Sequence, residues 1–209
     1  MEITIIGTGN MARGIATRAL AGGHGVTLHG TSADKAAALA AELGTGARAG
    51  VSGDPITTEV VVLAVHYGVL AGVVASYGAG LDGKIVVDIS NAVDFTTFEP
   101  IAVAAGSSAQ ELAAAAPAAR VVKAFNTAFA GTLISGVVAG QPLDIFVASD
   151  DDAAKQAVTQ IVQDGGMRAV DSGPLRRAHQ LEALAFLHMA VQQSIGTGFA
   201  SAVKVLADS

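Results

Sequence analysis

The sequence has no cysteine and no tryptophan, and only 14% of its residues are charged. The lack of cysteine excludes disulfides, thiol nucleophiles and cysteine-ligated metal or iron–sulfur sites, and it is typical of a cytoplasmic protein. The 12 Lys and Arg residues are outnumbered by 18 Asp and Glu residues, giving a formal net charge of -6. Because nucleic-acid binding requires clustered basic side chains, we expect no nucleic-acid partner.

The sequence also lacks the patterns that indicate export or membrane insertion. It begins with "MEITII", which has no basic region, so we expect no signal peptide. The apolar run from Val60 to Gly80 is long enough to span a membrane, but it contains His66, Tyr67 and inner glycines and has no flanking basic residues. We therefore predict a buried strand over Val60–Val65, a short helix after it, and no membrane partner.

The arrangement of apolar segments favours an α/β fold. Stretches such as "VVVLAV" and "KIVVDI" are apolar nearly throughout, as in strands whose two faces are both covered. Their alternation with helical segments predicts βαβ units and a Rossmann-like, doubly wound, mostly parallel sheet. The predicted strands are Glu2–Ile6, Gly25–His29, Glu59–Val65, Lys84–Ile89, Arg120–Phe125, Leu143–Ala148 and Met167–Val170. The predicted helices are Asn10–Ala21, Asp34–Leu43, Tyr67–Tyr77, Ala109–Ala115, Asp151–Asp164 and Leu175–Asp208.

The clearest break in this pattern is "SGP" at residues 172–174. It divides the chain into a predicted dinucleotide-binding domain, residues 1–173, and a C-terminal helical segment, residues 174–209. The long apolar C-terminal segment is expected to cap the carboxyl edge of the sheet, to form a homodimer surface, or both.

A glycine-rich turn joins the first predicted strand to the first helix. Residues Gly7, Thr8, Gly9, Asn10, Met11 and Ala12 fit the pattern Gly-x-Gly-x-x-Gly/Ala in the strand–turn–helix context of a dinucleotide site. Gly7 permits the tight turn, Gly9 allows close approach of a pyrophosphate, and the small Ala12 lets the helix pack on the sheet. The anion is expected at the positive end of the helix. A turn that holds no ligand is the alternative.

The end of the second strand indicates which nicotinamide nucleotide is bound. NAD-binding proteins usually have an acidic residue there, whereas this chain reads "VTLHGTSADK" with no acid at residues 29–32. Thr31 and Ser32 offer hydroxyl groups and Lys35 a cation, so NADP is favoured. The alternatives are that Thr31 and Asp34 form a capping box and that Lys35 is an ordinary solvated residue.

Polar residues follow the other strands at the edge where ligands bind in this fold. The backbone of Ala64, Val65 and His66 is expected to line the nicotinamide side. His66 is a candidate to hydrogen-bond cofactor or substrate, or to bond only nearby backbone. Asn91 and Asn126 follow two further strands and either face the same crevice or cap their own turns.

The sequence resembles the NADPH-dependent deazaflavin reductase family, whose members pass hydride between NADPH and coenzyme F-420. The resemblance extends from "ITIIGTGNMARGIA" to "GPLRRAHQLEALAFLHM", and "KAFNT" and the "GPLRRA…LE" segment are its more specific parts. The ferric reductase domain of the STEAP membrane proteins is also similar, and there the hydride acceptor is a flavin. The resemblance implies NADP as cofactor, with F-420, FMN or FAD as hydride acceptor.

The resemblance also implies roles for individual residues. It implies that Thr8, Gly9, Asn10 and Met11 contact the dinucleotide, that Gly30, Thr31 and Lys35 surround the 2′-phosphate, and that Ala124 and Asn126 lie near the nicotinamide. The family commonly has Ser-Arg where Gly30 and Thr31 stand, and often Pro where this chain has His66. These departures leave the identity of the acceptor open.

The functional hypothesis is an NADP-dependent oxidoreductase that passes a hydride to a planar acceptor, which needs close placement more than an acid–base pair. His66 and Asn126 are the candidate catalytic residues, and we expect no metal site. One alternative is an NADP(H)-binding sensor. Another is an imine or keto reductase resembling pyrroline-5-carboxylate reductase, for which only Lys123 and His66 are candidate proton donors.

The charged residues near the start of the C-terminal segment allow two interpretations of their role. Arg176, Arg177 and Glu182 either bind the anionic tail of an acceptor or form an ion-paired helix start at a dimer surface. His179 and His188 are two and a half helical turns apart, so they face different sides and cannot share a metal. We expect one of them exposed and the other packed. Asp88 is expected to be structural.

Overall fold

The computed structural model describes residues 1–94, 96–97 and 99–207. Within this part of the chain, eight strands form one sheet. They are β1 (Glu2–Ile6), β2 (Gly25–Gly30), β3 (Ala47–Val51), β4 (Val60–Leu63), β5 (Ile85–Asp88), β8 (Arg120–Lys123), β11 (Asp144–Ser149) and β12 (Arg168–Gly173). Two small hairpins lie outside the sheet: β6 (Val93–Asp94) with β7 (Glu99–Pro100), and β9 (Val137–Val138) with β10 (Gln141–Pro142).

The strand order is β3-β2-β1-β4-β5-β8-β11-β12. Every neighbouring pair from β3 to β8 is parallel, β11 runs antiparallel to β8, and β12 is parallel to β11. The chain proceeds outward from β1 through β2 to β3, and then returns to place β4 on the other side of β1. The reversal creates a crevice at the carboxyl ends of β1 and β4, where this fold binds its ligands. The predicted doubly wound, mostly parallel fold is confirmed.

Helices cover both faces of the sheet. They are α1 (Asn10–Ala21), α2 (Ala33–Leu43), α3 (Tyr67–Tyr77), α4 (Ser108–Ala115), α5 (Ala130–Ser135), α6 (Asp152–Asp164), α7 (Ala178–Ala190) and α8 (Gln192–Ile195). Alternate residues of a strand point to opposite faces. Accordingly, Val60 and Val62 pack with α1, α2 and α6, whereas Val61 and Leu63 pack with α3 and α4.

The C-terminal segment differs from the predicted single helix Leu175–Asp208. A 3-10 turn over Leu175–Arg177 leads into α7, and the short α8 ends at Ile195, before Gly196, which has a φ of 65°. The described residues 196–207 form no helix. They fold back towards the sheet, where Lys204 Nζ and Val205 N each donate to the buried Asp144 carboxylate at 2.8 and 2.9 Å. Asp208 lies outside the described residues.

Among the described residues, no helix has both the length and the apolar character needed to cross a membrane. The run 60–80 is divided into a strand and a helix, as predicted, although β4 ends at Leu63 and a 3-10 turn over Gly78–Leu81 follows α3.

Candidate functional site

The glycine turn lies where β1 is flanked by β2 and β4. The amide of Gly7 donates to the carbonyl of His29 at 2.8 Å, which holds the turn against the end of β2. Gly7 has a φ of 124°, and a Cβ there would lie 2.3 Å from the carbonyl oxygen of Ala64. Only glycine fits this position, because any side chain would collide with the backbone that follows β4.

The first turn of α1 opens onto free space. Gly9 is the N-cap of this 12-residue helix, and it has no side chain to accept from the first N–H groups. A Cβ at Gly9 would meet no atom within 4 Å. The first N–H groups of α1 therefore point into open space at the positive end of the helix. This arrangement forms a site for an anion such as a diphosphate. Ala12 is fully buried, as the close packing of helix on sheet requires.

A cavity of about 490 Å³ adjoins this turn. It lies over the carboxyl ends of the central strands, and Ala185 and Met189 of α7 form part of its wall. Eight predicted site residues line it: Gly9, Asn10, Met11, Ala64, Val65, His66, Asn91 and Asn126. The loop after Phe125 and the C-terminal segment were expected in the wall, but the other lining residues were not singled out by number from the sequence: Ile89, Ser90, Thr127, Ala128, Phe129, Ala130, Ala185 and Met189.

Asn91 and Asn126 form a reciprocal pair in the cavity wall. Asn91 Nδ2 donates to the Asn126 carbonyl at 2.9 Å, and Asn126 Nδ2 donates to Asn91 Oδ1 at 2.9 Å. Asn126 Nδ2 also donates to the carbonyl of Leu181 in α7 at 3.1 Å. Since a main-chain carbonyl can only accept, both amide orientations are fixed. Asn126 Oδ1 is then a buried acceptor with no hydrogen-bond partner in the described part of the chain.

The backbone just before Asn126 is strained. Phe125 has a φ of 62° and is 2% exposed. A buried aromatic residue in the left-handed region costs on the order of 1–3 kcal/mol, and such residues cluster at functional sites. This left-handed conformation turns the chain at the end of β8, and the residues after Phe125 line the cavity.

The predicted 2′-phosphate residues lie at the end of β2, outside the cavity lining. Gly30 is buried close to Thr8, whose Cγ2 a Cβ would approach to 2.8 Å, while Thr31 and Lys35 are exposed. Ser32 is the N-cap of α2 and its hydroxyl accepts from Lys35 N at 3.4 Å. The alternative capping box of Thr31 and Asp34 is therefore wrong, because the helix begins one residue later than that motif requires.

Lys123 lies in a buried polar cluster below the cavity. The three N–H groups of its Nζ are shared among four acceptors: Asp88 Oδ2 at 2.8 Å, Ser108 Oγ at 2.7 Å, Glu182 Oε1 at 2.9 Å and the Ser90 carbonyl. Burial raises the pKa of Asp88, but the Lys123 charge and hydrogen bonds from Lys123, Ser108 and Ser90 outweigh it and lower this pKa overall. Asp88 is structural, as expected.

This cluster corrects two expectations. Lys123 is not available as a proton donor in the crevice, because its ammonium is fully buried among these partners. Glu182 is 4% exposed, so it belongs neither to an exposed ion-paired helix start nor to a tail-binding surface. Arg176 and Arg177 are exposed. Ala124, expected near the nicotinamide, is fully buried and does not line the cavity.

The histidines of α7 differ as predicted. His179 is exposed and its Nδ1 donates to the carbonyl of Gly106 at 2.9 Å. His188 is buried, stacks on Phe129 with ring centroids 4.2 Å apart, and contacts Ser201 Oγ through Nε2 at 2.9 Å. Burial lowers the pKa of His188. His66 is exposed at the mouth of the cavity.

Within the described residues, no group of three or more His, Asp and Glu side chains could hold a metal ion. The polar side chains of the cavity wall are amides, hydroxyls and one imidazole. This set suits binding and orientation of an organic cofactor by hydrogen bonds.

Comparisons with known proteins agree with this geometry. Residues 2–92 match the model of the family described as NADP oxidoreductase, coenzyme F420-dependent. The chain is 31% identical over 185 residues to metalloreductase STEAP3 of Rattus norvegicus, a match that covers 88% of this chain. The chain spans only 36% of the length of that relative.

Solved structures share the fold. A protein of Arthrobacter sp. FB24, provisionally described as an F420-dependent NADP reductase, is 27% identical with a TM-score of 0.83, covering 98% of this chain and 99% of that one. An imine reductase of Streptomyces aurantiacus is 19% identical with a TM-score of 0.69, covering 95% of this chain and 64% of that one. The resemblance expected from the sequence is confirmed, and it relates the chain to NADP-dependent oxidoreductases.

Proposed function

We propose that the protein binds NADP(H) and transfers a hydride between the nicotinamide and a planar acceptor of the deazaflavin or flavin class. The observation that carries the proposal is one continuous cavity that runs from the amide groups at the start of α1 to Asn126 beneath α7. One end suits a diphosphate, and the other offers an unpaired amide acceptor beside apolar walls.

The residues of the chain divide between two halves of the dinucleotide. Gly9, Asn10 and Met11 hold the diphosphate with their amides, with Gly7, Thr8 and Ala12 shaping the turn. The hydroxyls of Thr31 and Ser32 and the ammonium of Lys35, next to Gly30, hold the 2′-phosphate. Ala64, Val65, His66 and Asn91 line the nicotinamide side with Asn126.

The bound nucleotide supplies the hydride, and the chain supplies placement and exclusion of water. Phe129, Ala185 and Met189 give the cavity an apolar wall against which a flat ring can lie. Transfer between two stacked rings depends on close parallel placement and needs no acid–base triad. His66 is the one ionisable side chain among the described lining residues, consistent with this chemistry.

Two alternatives fit the site less well. An imine or keto reductase needs a proton donor in the crevice, and one of its two candidates, Lys123, is held in the buried cluster. A pure NADP(H) sensor would not need the apolar wall beside the nicotinamide end. We retain the sensor as the outcome of the assay below if binding occurs without turnover.

Exposed apolar side chains support a homodimer through the C-terminal segment, residues 174–209. Leu187 in α7 is 62% exposed, and Ile195, the last residue of α8, is 50% exposed. We propose that this segment packs against a second copy in a cytoplasmic protein. Sedimentation equilibrium tests the assembly: a dimer that Leu187→Glu dissociates is expected, and a monomer at all concentrations contradicts it.

The test of function is NADPH oxidation measured with coenzyme F-420, FMN, FAD and ferric chelates as acceptors. We expect multiple turnovers with at least one planar ring compound, and slower reaction with NADH than with NADPH. Tight NADPH binding with no oxidation by any acceptor would favour the sensor. The variant that tests the site is Asn126→Leu, which should reduce turnover without preventing folding.

A further inference from the structure

The two segments that carry the family resemblance most specifically, "KAFNT" and "GPLRRA…LE", are joined inside the protein. Lys123 of the first segment is bonded to Glu182 of the second, with Nζ and Oε1 2.9 Å apart. Three residues after Lys123, Asn126 donates to the carbonyl of Leu181, the residue before Glu182. One contact lies below the cavity and the other in its wall.

The Glu182 carboxylate is fixed to the sheet side of the molecule by several donors. Its Oε1 accepts from Ser108 N at 3.0 Å and from Lys123 Nζ, and it lies 2.7 Å from Ser108 Oγ, whose one hydrogen it shares with Asp88 Oδ2. Ser108 is the first residue of α4, so the carboxylate lies at the positive end of that helix. A buried charge without its partners is very unfavourable, and α7 therefore cannot slide or rotate without breaking this set.

The position of α7 in turn helps to hold the Asn126 carboxamide, whose Nδ2 donates both to the Leu181 carbonyl and to Asn91 Oδ1. The Leu181 carbonyl accepts from Asn126 Nδ2, which leaves Oδ1 as the unpaired acceptor. Without this carbonyl, Asn126 Nδ2 would keep only its bond to Asn91 Oδ1, and the carboxamide would be held less firmly. Glu182 and Leu181 are adjacent in α7, so a displacement of one displaces the other.

We propose that Glu182, held by Lys123, is a positioning residue: it fixes α7 so that the Leu181 carbonyl, together with Asn91 Oδ1, holds the carboxamide of Asn126, whose Oδ1 accepts a hydrogen bond from the carboxamide N–H of the nicotinamide. The inference rests on the proposed function, since it requires that the cavity bind a nicotinamide nucleotide. It assigns a role to two charged residues that lie outside the cavity lining.

The test compares ligands that share or lack the nicotinamide. Affinities for NADP⁺ and for 2′,5′-ADP, which has no nicotinamide, are measured by calorimetry for the wild type, Glu182→Asp, Glu182→Gln and Asn126→Leu. Asp has a shorter side chain and should draw α7 out of position, whereas Gln keeps an oxygen at the place of Oε1. We expect Glu182→Asp and Asn126→Leu each to weaken NADP⁺ binding about tenfold and to leave 2′,5′-ADP within twofold. Glu182→Gln should stay within threefold for both ligands.

The double variant Glu182→Asp/Asn126→Leu distinguishes positioning from general destabilisation. If Glu182 acts through Asn126, the double variant binds NADP⁺ as Asn126→Leu alone does. The proposal would be overturned if the loss of NADP⁺ affinity in the double variant equalled the product of the two single losses. It would also be overturned if Glu182→Asp weakened NADP⁺ and 2′,5′-ADP binding equally. The matched control is Glu111→Asp in α4, where the carboxylate accepts only from Tyr67 among the described contacts, at 2.7 Å. It should change neither affinity.

The outcomes for the two proposals are separable. A wild type that binds neither ligand refutes the proposed function itself. A wild type that binds NADP⁺, with Glu182→Asp indistinguishable from it, refutes only the positioning role. If Glu182→Asp is not folded by circular dichroism, Lys123→Arg tests the same link from the other partner and should give the same selective loss of NADP⁺ affinity.

Discussion

Replacing Gly9 by Ala should separate nucleotide binding from stability. The backbone at Gly9, with φ −83° and ψ −174°, is one that alanine adopts readily, and the new Cβ would meet no atom within 4 Å. Replacing glycine by alanine restricts the unfolded chain, which stabilises the folded protein by about 0.4–1 kcal/mol. Alanine is also a poorer N-cap than glycine, which destabilises it by a similar amount. We therefore expect the free energy of unfolding in urea to change by less than about 1 kcal/mol.

Binding should respond quite differently. The methyl group would occupy the space over the first turn of α1 in which a diphosphate must lie to reach the amides. Loss of one charge-assisted hydrogen bond costs about 1.5–3 kcal/mol, so NADPH should bind roughly 10–100-fold more weakly. The assay is the fluorescence of NADPH on titration with folded protein. A folded Gly9→Ala protein that binds NADPH as tightly as the wild type would refute this account of the turn.

Gly7→Ala is the matched comparison, because it adds the same methyl group two residues earlier. There φ is 124° and the Cβ would lie 2.3 Å from the Ala64 carbonyl oxygen. Strain of about 1–3 kcal/mol and a backbone clash of similar size should together lower the free energy of unfolding by roughly 2–6 kcal/mol. A Gly7→Ala protein as stable as Gly9→Ala would contradict the geometry.

Three further predictions concern pH and nucleotide choice. Burial is the main factor that lowers the pKa of three histidines, His24, His29 and His188. The unfolded chain then binds more protons near pH 6, so stability in urea should fall below about pH 6.5, and His29→Phe should reduce that slope. Burial raises the pKa of Asp144, but hydrogen bonds from Arg168, Lys204 and Val205 lower it to about 2. Asp144→Asn should therefore lower the free energy of unfolding by about 2 kcal/mol at pH 7, whereas the surface variant Asp152→Asn should not. The wild type loses this contribution between about pH 4 and 2. Lys35→Ala should weaken NADPH binding several-fold and leave NADH unchanged; equal losses would contradict a 2′-phosphate contact.

Much of the fold could be predicted because the strong local signals agree with the tertiary structure. β1, α1 and α3 have the predicted bounds. In each, an apolar segment begins or ends at a glycine turn or a polar residue, so the element length is set locally. The alternation of strands and helices allows few topologies, of which the doubly wound sheet is the usual one.

The elements that the sequence did not predict depend on neighbours. β3, "ARAGV", is an edge strand that is largely exposed, and it lacks the continuous apolar pattern of the central strands. α5 has six residues, too few for a recognisable period. The C-terminal segment was predicted helical to its end because its apolar residues continue, but residues 204 and 205 instead bond to Asp144 more than 50 residues earlier in the chain.

The candidate site divides in the same way. Residues at the carboxyl ends of strands could be assigned to the cavity because strand order places those ends together. The C-terminal segment was expected to cap this edge, but its lining residues Ala185 and Met189 could not be singled out, since they depend on the path of α7 over the sheet.

Lys123 carried a signal that sequence reasoning could have used further. A lysine that ends an apolar, doubly covered strand must find a buried partner, because an unpaired buried charge is far too costly. Its neighbour in register on β5 is Asp88, which likewise ends an apolar strand. Two opposite charges at the same level of adjacent central strands therefore predict a buried pair once the strand order is known. Glu182 could not be deduced in this way, since a third charge in the cluster comes from a helix that approaches the sheet 59 residues later in the chain. The bonds of this second carboxylate to Lys123 and Ser108 tie α7 to the sheet, and with it the wall of the cavity.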